Sequence, residues 1–95
     1  MDKKNILKKV QNLSNKYLIS QYKIVQLKDS VEDHRCIIKF EKALSHLDLN
    51  EKFLLKNEFL DLKDKYWWKK YFNKNIFYTM KTSACLHFLE LIDEK

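Results

Sequence analysis

The sequence has 95 residues, enough for one domain with a single modest core and too few for a two-lobed enzyme. Its hydrophobic fraction of 45% excludes a disordered chain, and the absence of glycine and proline predicts an all-α protein, because hairpins and phosphate-cradling loops depend on glycine. The formal charge of +6 favours a polyanionic partner, although Arg35 is the single arginine among 19 basic residues and lysine suits bidentate base recognition poorly.

From Ile6 onward, the chain carries a series of side chains at alternating steps of four and three, the spacing of a heptad seam. The seam positions are Ile6, Val10, Leu13, Tyr17, Ser20, Ile24, Leu27 and Val31, with Ser20 as the polar exception. This pattern predicts a long N-terminal amphipathic helix within residues 1–29. Three roles are open for it: packing on its own domain, forming a homodimer through the seam, or docking on a partner protein.

Two capping signals for the start of a helix follow this first helix. Asp29 and Ser30 interrupt the pattern, and the stretch from Ser30 to Asp33 resembles a capping box, which predicts a second helix. Asp48 and Glu51 have the same form before an apolar run, which predicts a third helix that continues to residue 62.

The last third of the chain predicts two more helices. Asp64 can cap a short fourth helix over residues 65–72, and a fifth helix over residues 74–92 begins at the break Asn73-Lys74-Asn75. We therefore expect a small bundle of about five helices. Residues 1–29 would be its N-terminal amphipathic helix and residues 30–95 its second unit.

Residues 65–81 concentrate aromatic rings and lysines around that break. Two helices joined by about three residues, the second with an Asn cap, form the skeleton of a helix-turn-helix, whose second helix presents its first residues to the DNA major groove. The side chains predicted to pack in the core are Trp67, Phe72, Phe77 and Met80. Those predicted to face outward are Lys69, Lys70, Lys74, Asn75, Tyr78, Thr79 and Lys81. The tandem indoles of Trp67 and Trp68 point about 100° apart on a helix, so one is expected in the core and the other at a helix junction.

The segment NKNIFYTMKTSACLHFLELI, residues 73–92, resembles the last helix of sigma-factor region 4-like helix-turn-helix domains, particularly small phage and mollicute regulators. Upstream, Ala43, Leu44, Leu47, Glu51 and Leu54 are similar to the opening of the same domain. The resemblance covers about residues 43–92. It departs from the family pattern at Thr79, where the pattern has arginine.

The resemblance implies a DNA-binding transcription regulator or an RNA polymerase-associated factor. Lys74, Asn75, Tyr78, Thr79 and Lys81 would then enter or flank the major groove of double-stranded DNA, while Lys69 and Lys70 would hold phosphates. The alternative is a protein-interaction module that keeps the scaffold without specific DNA binding and docks or dimerises through its N-terminal helix. Thr79 favours the alternative, and the net charge favours DNA.

No catalytic or metal-binding arrangement is predicted. The sequence has no glycine loop for phosphate, no nucleophile elbow and no HExxH, so we expect neither an enzyme nor a cofactor. The pairs His34/Cys36 and Cys85/His87 are two residues apart, which places each pair about 200° around a helix and argues against zinc. The charged N-terminus and the short apolar runs predict a cytoplasmic protein without a membrane-spanning segment.

Overall fold

The computed structural model describes residues 2–61 and 64–93. Its α-helices are α1 (Lys3–Val25), α2 (Val31–Ser45), α3 (Leu49–Leu55) and α4 (Lys74–Ile92). The chain is therefore all-α in the described residues, and its first helix is long, as the sequence predicts. The described helices give no candidate for a membrane span, since none is both long and apolar enough.

The region between α3 and α4 differs from the prediction. The third helix changes to a π-helical turn, Lys56–Leu60, and the predicted fourth helix over residues 65–72 is a single 3-10 turn, Trp67–Lys70. Asp64 does act at the start of this turn, because its Oδ1 accepts a hydrogen bond from the Tyr66 amide at 3.0 Å. Residues 62 and 63, the predicted end of the third helix and the break after it, lie outside the described residues.

Polar caps begin all four α-helices. Asp2 and Asn73 accept hydrogen bonds from the amides three residues ahead, and Ser30 and Asp48 each form a full capping box. Each such cap stabilises a helix by about 1 kcal/mol, because it satisfies an amide that has no partner within the helix. The sequence signals at Ser30, Asp48 and Asn73 therefore give the correct first residues of α2, α3 and α4, whereas the Asp2 cap of α1 was not predicted.

α1 packs against α2 and α4 and shares their core. Its seam residues Ile6, Val10 and Tyr17 are buried, and the Tyr17 ring stacks on Phe40 of α2 with 4.3 Å between centroids. Phe40 in turn contacts Phe88 of α4 at 4.9 Å. Of the three roles open for the N-terminal helix, packing on its own domain is the one that this structure contains. The last two predicted seam positions, Leu27 and Val31, lie beyond α1 and are exposed.

The one polar position of the seam is explained by a hydrogen bond between helices. Ser20 is buried, and its hydroxyl donates to Oδ1 of Asp33 at 2.9 Å. Asp33 also accepts from the Ser30 amide at 2.9 Å, and this backbone hydrogen bond is the main reason that the pKa of the Asp33 carboxyl lies below its usual value. Further contributions come from the Ser20 and Ser30 hydroxyls and from the charge of Lys23. The serine therefore links α1 to the first turn of α2.

α1 ends in a tight turn that usually contains glycine. The Lys28 amide donates to the Lys23 carbonyl at 2.9 Å and the Leu27 amide donates to the Ile24 carbonyl at 3.1 Å, the pattern of a Schellman motif. This geometry requires a left-handed residue, and Leu27 occupies it with φ of 57°. The Leu27 side chain is 90% exposed. A chain without glycine thus closes this turn with a strained, solvent-facing leucine.

Candidate nucleic-acid interface

The candidate interface is built around the start of α4. The break predicted near residues 73–75 is present, and α4 begins at Lys74 after Asn73, whose Oδ1 accepts from the Ile76 amide at 2.9 Å. Tyr71 and Phe72 connect the 3-10 turn to this cap. Residues 65–92 are therefore not one continuous rod, and the 3-10 turn occupies the place of the first helix of the predicted helix-turn-helix.

Aromatic rings hold the 3-10 turn against α4. Trp68 stacks on Phe77 with 4.6 Å between centroids and 8° between planes, and Trp67 meets the same ring edge-on at 5.8 Å. Phe77 is buried, as predicted, while Trp67, Phe72 and Met80 are only partly buried. The rings therefore fix the orientation of the 3-10 turn relative to α4.

The structure corrects the prediction for the two indoles. Trp68 is the buried one, at 7% exposure, and Trp67 lies at the junction. A 3-10 turn advances each residue by about 120°, so a face assignment based on α-helical spacing fails here. In addition, Nε1 of Trp67 donates to Glu58 at 2.9 Å, which keeps that indole near the edge of the core.

Lys81 is also corrected, because it does not face outward. Its Nζ forms an ion pair with Glu58, and its side chain is 17% exposed. The ammonium group also lies 5.7 Å from the ring centres of Phe59 and Phe77. Glu58 thus accepts from both Trp67 and Lys81. Helical spacing puts Lys81 on the buried face of α4, four residues after Phe77 and three before Ala84, whereas the identity of its partner depends on how the π-helical turn packs against α4.

The other six predicted residues are exposed, on the 3-10 turn and the first turns of α4. We use the name basic-aromatic face for the surface that they cover together: Lys69, Lys70, Lys74, Asn75, Tyr78 and Thr79. Tyr66 and Tyr71 are exposed beside it, at 51% and 61%, and were not predicted. The Lys69 ammonium lies 4.3 Å from the centre of the Tyr66 ring. Between residues 64 and 93, the one lysine with an ion pair among the described residues is Lys81.

The charge around the start of α4 differs from that at α2 and α3. The first turns of α2 and α3 contain Glu32, Asp33 and Glu51, whereas the first turn of α4 contains no acid and begins with Lys74. A helix N-terminus carries a partial positive charge that nearby carboxylates normally offset. Lysine charge and helix dipole therefore act in the same direction at the basic-aromatic face and favour an anion.

The cysteine and histidine pairs are used in other ways. Cys85 is fully buried, and burial raises the pKa of its thiol to about 12, so it is not a reactive thiolate. His87 lies 3.0 Å from Glu51, and His34 contacts Asp29. Within residues 2–61 and 64–93, no group of three or more His, Cys, Asp or Glu side chains is placed to hold a metal ion.

A separate cleft of about 520 Å³ lies between α1, α2 and the π-helical turn. In its wall, the Tyr17 hydroxyl donates to Glu41 at 2.7 Å and accepts from Gln21 at 2.9 Å. Burial, together with the hydrogen bond and charge of Glu41, raises the pKa of Tyr17 to about 12. Tyr17 is therefore neutral and serves as a bridge between helices.

Comparisons with protein-family models, with curated proteins and with solved structures found no match to this chain.

Proposed function

We propose that this protein binds double-stranded DNA through the basic-aromatic face, as a regulator of transcription or a factor associated with RNA polymerase. Lys69 and Lys70 contact phosphates from the 3-10 turn. Lys74, Asn75, Tyr78 and Thr79 enter or flank the major groove from the first turns of α4. Lys81 takes no direct part, because Glu58 already holds its ammonium group.

The observation that carries the proposal is the exposure of three lysines on the 3-10 turn and at the start of α4. Lys69, Lys70 and Lys74 lie within six residues and form no ion pair with the described residues. Ammonium groups that are not neutralised by the protein release counterions from DNA when they contact phosphates, and this release drives binding. Asn75 adds a side-chain amide, the group that reads adenine in the major groove.

The ring cluster supports the proposal by making the face rigid. A binding surface must hold its donors in place, since each flexible side chain that becomes ordered on binding lowers affinity. The stacked pair Trp68 and Phe77 joins the 3-10 turn, which carries Lys69 and Lys70, to α4. The 3-10 turn, residues 71–73 and α4 would then act as a shortened helix-turn-helix, the arrangement that the sigma-factor region 4 resemblance implies.

A second candidate function is a protein-interaction module without specific DNA binding. The observation in its favour is a set of exposed apolar side chains at the α1–α2 turn: Tyr22, Val25, Leu27 and Val31, which are between 65% and 90% exposed. A docking partner or a second copy of the chain would use this tip, because the seam positions Ile6, Val10 and Tyr17 are already buried. Thr79 in place of the family's arginine also favours this candidate.

Fluorescence anisotropy with a labelled duplex of about 20 base pairs tests the proposal, at several salt concentrations from about 50 mM upward. In the α4 variant, Lys69, Lys70 and Lys74 are replaced by Gln. In the control variant, the exposed lysines Lys39, Lys42 and Lys56 are replaced by Gln, which removes the same charge elsewhere.

The expected result is that the α4 variant binds more weakly and that its plot of log K against log salt is less steep by about 0.9 for each phosphate that the variant no longer neutralises. The control variant should bind nearly as the wild type does. Absence of binding by the wild type at about 50 mM salt, where electrostatic attraction to phosphates is strongest, would refute the proposal.

A further inference from the structure

The net charge of the chain is not spread evenly. Residues 1–28 contain seven lysines and a single acid, Asp2, whereas residues 29–95 contain twelve basic and twelve acidic residues. The whole formal charge of +6 therefore belongs to α1 and the residues that flank it. The excess positive charge therefore lies on α1, which is far along the chain from the basic-aromatic face.

The lysines of α1 lie on its outer side. The inner side, with Ile6, Val10 and Tyr17, is buried in the core. Seven exposed side chains of the first four turns form what we call the outer face of α1: Lys4, Lys8, Lys9, Gln11, Asn12, Asn15 and Lys16. In the part of the chain that the structure describes, the one α1 lysine with an ion pair is Lys23, whose Nζ lies 3.8 Å from Asp33.

We infer that the outer face of α1 is a second binding surface for the phosphate backbone of a nucleic acid. Lysine, asparagine and glutamine are among the side chains that donate hydrogen bonds to phosphate and sugar oxygens. The distance along the helix from Lys4 to Lys16 is about 18 Å, close to the length of five base pairs of duplex. The face carries no acid to repel phosphates.

Two other partners fit the face less well. A helix that inserts into a membrane surface must bury its apolar side in lipid, and the apolar side of α1 is already buried in the core. An acidic protein helix would need an apolar strip at the centre of the contact, and the outer face of α1 has none before Ile19. Phosphates need only the donors and charges that are present.

The inference shares its partner class with the proposed function but places the contact on a different helix. The α1 variant has Lys4, Lys8 and Lys16 replaced by Gln, which keeps helix propensity and removes the same charge as the α4 and control variants. Anisotropy of all four full-length proteins is measured with duplex DNA, single-stranded DNA and duplex RNA over a salt series, and with labelled poly-glutamate as the acidic-protein probe. Circular dichroism verifies that each variant remains helical.

The expected result is that the α1 variant binds nucleic acid about tenfold or more weakly and has a lower salt slope, while the control variant changes little. If the α1 variant binds as the control does, the inference is wrong, although weaker binding by the α4 variant would still support the proposed function. A third outcome separates the two ideas. If the wild type binds single-stranded DNA or RNA but not duplex DNA, the proposed function fails. The inference still holds in that case if the α1 variant has lost this binding. The inference is overturned if the wild type binds none of the nucleic acids. It is also overturned if poly-glutamate binding depends on Lys4, Lys8 and Lys16 as strongly as nucleic-acid binding does.

Discussion

The α1–α2 hairpin and the aromatic segment from Asp64 to Lys81 are built in different ways. In the hairpin, regular helical spacing separates a buried seam from an exposed basic face. In the aromatic segment, a 3-10 turn replaces a helix, and contacts among rings decide which side chains are buried. The lysines of α1 are thus exposed by helical periodicity, and the same periodicity puts Lys81 on the buried face of α4, four residues after Phe77, where Glu58 pairs with its ammonium group. In the 3-10 turn, by contrast, contacts among rings decide that Trp68 is buried.

The largest expected effect comes from removing the buried indole. Trp68→Ala should lower the free energy of unfolding by about 3–5 kcal/mol, because it deletes a buried ring and leaves a cavity beside Phe77. Trp67→Ala should cost less, since that indole is half-buried. Urea denaturation followed by circular dichroism measures both. If Trp68→Ala prevents folding, the pair Trp68→Phe and Trp67→Phe gives the same ranking, and equal destabilisation by the two would contradict the packing described.

The next effect concerns the ion pair that removes Lys81 from the surface. Glu58→Gln should destabilise the protein by about 1–2 kcal/mol, because a partly buried ammonium group is left without its carboxylate partner. A double-mutant cycle with Lys81→Gln isolates the coupling between the two side chains. Additive effects of the two substitutions would show that the pair contributes nothing.

DNA binding gives a second test of the difference between the paired Lys81 and an exposed lysine. Lys81→Gln should leave the salt slope of binding unchanged, whereas Lys74→Gln should lower it by about 0.9, the effect of one phosphate that is no longer neutralised. The two variants remove the same charge, so net charge alone predicts equal effects. Equal salt slopes for the two variants would therefore argue that the overall charge, rather than the placement of the lysines, controls binding.

In the hairpin, a substitution at the α1 turn should increase stability. Leu27→Gly relieves a left-handed residue without removing packed surface, and we expect a gain of about 1 kcal/mol in the free energy of unfolding. For a domain of this size, that gain raises Tm by about 4–8 °C. Val25→Gly, which places glycine inside the helix, is the control and should destabilise. A decrease of stability in Leu27→Gly would mean that the leucine side chain makes contacts that its exposure does not indicate.

The smallest effect is the pH dependence that arises from Asp33. Because its pKa is lower in the folded protein than the ordinary value of 3.8, the carboxylate stabilises the fold above that value, and the contribution disappears as the pH falls through the lower, folded pKa. Urea denaturation over a pH series should show this decrease in stability. Asp33→Asn should remove the corresponding part of the pH dependence, with Asp93→Asn, at the far end of α4, as the control. An unchanged pH profile in Asp33→Asn would mean that another group is responsible.

Several features followed from sequence because they depend on neighbours along the chain. The caps at Ser30, Asp48 and Asn73 each involve residues three positions apart, and the α1 seam repeats at helical spacing. The buried Ser20 was placed on the correct face, although its partner Asp33 was not identified. The seam also left its own use undecided, since packing within the domain and pairing with a second copy require the same pattern.

The sequence by itself determined that this chain is helical, where α2, α3 and α4 begin, and that its net charge is concentrated in the first helix. Only the tertiary structure decided that residues 67–70 form a 3-10 turn, that Trp68 and not Trp67 is buried, and that Glu58 holds Lys81. The physical reason is the separation along the chain between the residues that interact. Helix caps and amphipathic spacing arise within a few residues, whereas ring stacking and ion pairing between separate elements depend on how those elements meet in space.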